Sequence, residues 1–278
     1  MGCFSEKSYE NGRSTSVKKL ALTSARTVIE LHGLESTSSI QSQRNYWGTP
    51  GRCIVFVIAA TSIASLIADL YGVCSMYLFT SCVFMPATVL LLAFVAIDRF
   101  CGNGLLWRAV WIGLVGGLIA TVVYDVFRLP FVFSKEWGTD FIIPPMKLFK
   151  VFPRFGAMLL GQPIEQSTYS LTTQIIGWLY HFSNGATFGM MYVAIIGDGT
   201  RRHWAWAVLF ALALELGMLF TPYPTVFNIP LTTRFVVVTV AAHAFFGVGL
   251  GLTVCSLAKN RKLFSRLNDY GYSQKTKG

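Results

Sequence analysis

The side chains with most chemistry to offer in this sequence are few, and they sit where charge is costly. His181, Glu215 and His243 fall well inside long apolar runs, and Asp125 and Arg128 stand near the end of another. Imidazole titrates near neutrality, and an ionisable group held in lipid is a candidate for relaying protons or binding ions. Two histidines with a carboxylate are also donors that a transition metal accepts, and two histidines alone can hold a haem between helices. A third use is structural, because a histidine on a lipid-embedded helix ordinarily hydrogen-bonds to the helix beside it. Three roles follow. The plainest is a scaffold or subunit of a larger membrane complex, which asks for nothing beyond packing. The second is a proton- or ion-coupled small-solute transporter or channel working through Glu215, His181 and His243, with Asp125 and Arg128 at its mouth. The third is a haem- or metal-binding protein with His181 and His243 as ligands. No His-x-x-x-His spacing supports that third role, so no cofactor is assigned.

The elements that must position these groups are membrane helices. The chain of 278 residues is 53% hydrophobic and only 13% charged, with a mean hydropathy of +0.53. A soluble domain carries about 25% charged residues, so the deficit implies apolar surface that faces lipid. Apolar runs at 53–71, 75–97, 107–127, 171–196, 204–221 and 235–257 predict six spans in an all-α polytopic bundle. Each is long enough for a hydrocarbon core of about 30 Å at about 1.5 Å per residue. Runs this long without barrel-like alternation satisfy their amides only as helices. The first two make a hairpin that turns at Tyr71-Gly72.

On this reading residues 1–52 are a basic, Ser/Thr-rich N-terminal region, 53–257 the membrane domain and 258–278 a basic tail. In the first region Val17, Leu20, Val28 and Leu31 share one helical face, which suits an anionic membrane surface as well as a disordered tail. The net charge is +10, yet no nucleic-acid motif accompanies it and the basic residues cluster at the ends and between runs. Six spans with both termini in the cytoplasm place seventeen Lys and Arg inside and six outside. That bias predicts an N-in, C-in protein of the cell membrane. Trp107, Trp111, Trp137, Trp204 and Trp206 fall near the boundaries, as interfacial anchors do, and Asp98-Arg99 reads as a solvated flank. The expected partners are the lipid bilayer and other membrane subunits or a second copy of the chain, with no nucleic acid. A nucleophile motif, a Walker loop, a dinucleotide fingerprint and a His-Glu-x-x-His motif are all missing, which points away from enzymology.

Residues 128–170 do not make a plain loop. Phe141-Ile-Ile-Pro144-Pro145 and Leu148-Phe-Lys-Val-Phe-Pro153-Arg154-Phe155 alternate aromatic and basic residues, with prolines that break a spanning helix. An interfacial or re-entrant element over the outer face fits this composition.

Two later spans share a stripe, His181-x-x-x-Gly185-x-x-x-Gly189 and His243-x-x-x-Gly247-x-x-x-Gly251. Four-residue spacing aligns these positions on one helix face, and small residues there let helices approach closely in lipid. The preceding spans correspond loosely, with Gly113, Gly116, Gly117, Tyr124 and Asp125 in one and Glu215 to Pro222 in the other. A two-helix internal repeat is the expectation. From the helix rise, His181 lies about 15 Å below the outer end of its span, His243 about 12 Å and Glu215 about 9 Å. The run Ile176-Gly-Trp-Leu-Tyr-His181-Phe-Ser-Asn-Gly185-Ala-Thr-Phe-Gly189-Met-Met-Tyr192, with His243-Ala-Phe-Phe-Gly247 after it, resembles small bacterial membrane proteins of a domain-of-unknown-function family. The resemblance covers roughly residues 108–257. It implies an integral membrane fold in a bacterial inner membrane and brings no activity with it.

Overall fold

A computed structural model describes residues 45–199 and 201–260. The expectations for the N-terminal region before residue 45 and for the basic tail lie outside the described residues. Among the described residues the chain is all-α, with eight helices and no strand. We number them α1 (Thr49–Leu70), α2 (Met76–Cys101), α3 (Leu105–Val132), α4 (Val151–Leu159), α5 (Leu171–Ile196), α6 (Ala205–Leu219), α7 (Tyr223–Val226) and α8 (Thr233–Asn260). Four of them, α1, α2, α3 and α8, are long and apolar enough to cross a membrane. The protein is a multi-pass membrane protein.

The ends of these helices are fixed by short-range chemistry. Gly72 takes a positive φ of 67° at the α1–α2 turn, a conformation that costs a side-chain-bearing residue most. Asp69, an ionisable residue within the first apolar run, accepts from the Met76 amide at 2.6 Å and so caps α2. Asp98 is not the solvated flank its neighbourhood suggests. It is fully buried and accepts from the Trp107 amide at 2.9 Å, holding the first turn of α3 against the end of α2. Arg52, in the first turn of α1, donates to the Ala194 carbonyl at 2.7 Å and to that of Ile195, satisfying carbonyls that α5 leaves open at its C-terminus. Within α2 a π turn over Thr80–Phe84 leads into Pro86, whose missing N–H cannot serve the Cys82 carbonyl.

Helix α3 is central, packing against α5 on one side and α8 on the other, while α6 lies against α8 and α1 against α5. Helix α2 is the outlier, with only 11% of its apolar window buried, so most of its length faces lipid. The apolar interior falls into two clusters. One gathers Val55, Ala59, Leu106, Ala109, Ile112, Tyr192, Leu250 and Val254, toward the ends of α5 and α8. The other gathers Leu66, Met76, Phe152, Phe155, Tyr180 and Phe227, toward the beginning of α5. A polar layer joins α1 to α5 between them: Ser62 donates to the Asn184 side chain at 2.6 Å, and the Tyr180 hydroxyl to the Ser62 carbonyl at 3.0 Å.

The aromatic segment after α3 is not free coil and does not span. Its helix α4 has nine residues, about 13 Å of rise, and lies backbone to backbone on α5. A Cβ at Gly156 would collide with the Thr173 carbonyl, and one at Gly177 with that of Phe152.

Candidate functional site

Two pairs of helices carry the striped glycines, and both pairs close in the same register. In the first, Gly185 and Gly189 of α5 lie against Gly113, Gly117 and Thr121 of α3, so closely that a Cβ at Gly117 or Gly189 would overlap a backbone carbonyl of the other helix. In the second, Gly247 of α8 lies on the backbone of Ala207 and Val208, and Gly251 on that of Trp204. Gly117 faces Gly185 eight residues before Asp125, and Ala207 faces Gly247 eight residues before Glu215. Each histidine stands four residues before the facing glycine. The antiparallel helices must therefore bring each histidine to a carboxylate, and they do. His181 Nε2 lies 2.9 Å from Asp125 Oδ2, and His243 Nδ1 lies 3.2 Å from Glu215 Oε2.

The pairs meet across one aromatic ring. Tyr124 has its centroid 4.9 Å from that of His243 and 5.9 Å from that of His181. The Arg128 guanidinium lies 4.7 Å from the same ring and 4.9 and 5.4 Å from Phe149 and Phe152. Stacked cations of this kind are stabilised by the ring quadrupole. Arg128 also reaches Asp125 at 3.4 Å and donates to the Leu148 carbonyl. His181 is stacked on Phe152 with centroids 4.3 Å apart.

The expectation that Asp125 and Arg128 stand at a mouth does not hold. Helix α3 continues through Pro130 to Val132, and the segment from Leu148 to Phe152 folds over it, leaving Arg128 only 4% exposed. His181, Glu215, His243 and Arg128 instead line a cavity of about 890 Å³, with Asp125 behind them. Its wall is completed by α4, by the segment before it and by the connector between α6 and α8. Burial pushes the phenol of Tyr223, on that connector, up from its ordinary value, so it stays a neutral hydroxyl.

Several lining residues carry no motif in the sequence. Arg154 of α4, 4% exposed, donates to the Phe227 carbonyl and pairs with Glu165 at 2.5 Å. Glu165 in turn accepts from Asn228 Nδ2 at 3.5 Å, beside a backbone φ of 47° at Asn228. Lys147, Lys150 and Arg234 also line the cavity, Arg234 donating to the Pro144 carbonyl. In the sequence Lys147, Lys150 and Arg154 show only as part of the alternation of basic and aromatic residues between Phe141 and Phe155, and Arg234 only as a charge at the outer boundary of the last span, while Glu165 and Asn228 carry no signal.

As ligands for a metal or haem the histidines are poorly placed. Among the described residues no group of three or more His, Cys, Asp or Glu side chains is gathered closely enough to hold a metal ion. Tyr124 packs against both rings, and His181 Nε2, the nitrogen that would ligate a haem iron, is engaged by Asp125.

Searches against protein-family models, curated proteins and solved structures return no match to this chain. The resemblance to small bacterial membrane proteins gains no support from them.

Proposed function

We propose that the chain is a six-span, proton-coupled carrier of a small solute in the cell membrane, with both ends in the cytoplasm, built from two αα units that each supply a His–carboxylate pair. The observation that carries this reading is the convergence of Glu215, His243 and His181 on one cavity large enough for a small organic molecule. A scaffold needs no such space.

Helix α5 supports the fourth span: its 26 residues rise about 39 Å, and its polar Thr173, Asn184 and Thr187 are buried in the bundle. Helix α6, with 15 residues, supports a shorter crossing of about 22 Å. The shared register of the two glycine contacts supports the two-unit plan. The excess of Lys and Arg on one side supports the orientation.

The proton site is the His243–Glu215 pair. His243 Nδ1 faces the Thr239 carbonyl at 3.0 Å as well as Glu215. A carbonyl only accepts, so Nδ1 carries the hydrogen and Nε2 is the nitrogen that gains and loses a proton. With the proton on, the imidazolium is balanced by the Glu215 carboxylate. With it off, the carboxylate stands alone at the cavity wall. Charge at the site thus changes by one unit per cycle, which couples solute occupancy to protonation.

In proteoliposomes holding the purified chain and an internal pH dye, a panel of small solutes should contain members whose addition moves protons. Glu215→Gln, with folding verified by its unfolding transition, should abolish that movement. Proton movement that survives this substitution would end the proposal, and so would its absence across the panel in a protein that purifies only with stable partners.

A further inference from the structure

The cavity wall has a second character that proton coupling does not use. Five cationic side chains line it (Arg128, Lys147, Lys150, Arg154 and Arg234) against two carboxylates, Glu165 and Glu215. Most of the remaining lining is apolar, including Ile63, Leu66, Phe188, Met218, Phe235 and Phe246. Two of the cations are buried, which is expensive in lipid and is tolerated where partners or function compensate. Their protein partners do not use them up. Each of Arg128 and Arg154 makes one bond to a backbone carbonyl and one contact to a carboxylate from its Nη atoms, and each has a buried Nε with no partner among the described residues. A guanidinium offers five N–H donors, so three remain on each. Among the described residues no carboxylate pairs with Lys147, Lys150 or Arg234, although Lys147 and Lys150 are exposed at the same wall.

We infer that the solute is an amphipathic organic anion, with an anionic head held by Arg128, Arg154, Lys147 and Lys150 and an apolar body laid against the α1, α6 and α8 side chains. This deepens the carrier reading and rests on the cavity being its solute site. A polar sugar or amino acid would leave the aromatic and aliphatic wall unused. An organic cation would meet an excess of like charge, which costs affinity. The head is a carboxylate or phosphate group, because these present the planar or clustered oxygens that guanidinium donors match. It can belong to a soluble amphiphile or to an anionic membrane lipid.

The test uses the full chain purified in an uncharged detergent, at one fixed pH and with no gradient. Dodecanoate, its methyl ester and dodecyltrimethylammonium are titrated as competitors of a fluorescent fatty carboxylate. Dodecanoate should bind at least about ten-fold more tightly than either analogue, as expected when a charge-assisted contact is lost. Arg154→Gln should remove most of that preference. Because Arg154 is buried, the exposed pair Lys147→Gln and Lys150→Gln serves as a second variant that spares the fold, and it should weaken dodecanoate several-fold while leaving the ester unchanged. Mass spectrometry of the purified protein separates the two sources. An anionic phospholipid that dodecanoate displaces assigns the site to lipid, and dodecanoate binding to lipid-free protein assigns it to a soluble amphiphile; either outcome supports the inference. Equal binding of acid and ester, or a preference unmoved by both sets of substitutions, overturns it. Since this equilibrium needs no proton movement, charge-selective binding without coupled transport would end the carrier proposal and leave this inference standing.

Discussion

The two His–carboxylate pairs come from one packing plan and end in different electrostatic states. Asp125 is shared by His181 and by the buried guanidinium of Arg128, and His181 is pinned on Phe152. Among the described residues Glu215 has no cationic residue on it other than His243, whose second contact is a backbone carbonyl. The first carboxylate is therefore compensated whatever the histidine does, while the second depends on His243 for its balance. The lesson is that a repeated His-Gly-Gly stripe specifies where a pair forms, and a single residue three positions beyond the carboxylate decides what the pair is for. Arg128 makes the first pair structural. It has no counterpart beside Glu215, where the third residue on is Met218, so the second pair lacks a buried arginine to balance its carboxylate.

The sharpest way to break the comparison is to remove the compensated carboxylate. Asp125→Asn leaves Arg128 buried without its counter-charge, and an orphaned buried charge costs about 3–5 kcal/mol. The expected result is a large fall in the thermal unfolding temperature of the purified protein, largely restored when Arg128→Met is added. A loss in Asp125→Asn no greater than that in Glu215→Gln would mean that the two pairs are alike after all.

A smaller effect separates the two helix contacts. Gly117 and Ala207 occupy equivalent places opposite the first stripe glycine, yet a Cβ fits only at Ala207. Gly117→Ala should force α3 and α5 apart and cost about 1–3 kcal/mol through overpacking, whereas Gly217→Ala, at a site with nothing within 4 Å, should be close to neutral or slightly stabilising. Thermal unfolding of the two variants side by side measures the difference.

Much of this arrangement was legible in the sequence, and the part that was not has a physical reason. The long apolar runs gave helices because only helices close their amides in lipid, and the stripes marked contact faces because small residues permit close approach. The pairing of His181 with Asp125 needed the antiparallel register, which one strand of sequence does not contain. In the sequence Arg154 shows only as one basic residue of the aromatic segment, since its burial follows from α4 folding onto α5 through Gly156 and Gly177, a long-range contact. Asp98 likewise looked like a flank because its partner, the Trp107 amide, lies across a turn and carries no side-chain signal.

A small expected change in stability belongs to the residue with the largest expected role. Glu215 is 7% exposed and its contact at 3.2 Å is made to an imidazole whose Nδ1 already faces the Thr239 carbonyl. Glu215→Gln keeps an acceptor oxygen at the same length and removes a charge that, among the described residues, no buried arginine or lysine pairs with. The unfolding free energy should therefore change by less than about 1 kcal/mol, the net scale of a single hydrogen bond. Loss of proton movement in a variant this stable would place the effect in the chemistry of the pair rather than in its packing. A destabilisation matching that of Asp125→Asn would make Glu215 as structural a carboxylate as Asp125 and erase the electrostatic difference between the two pairs.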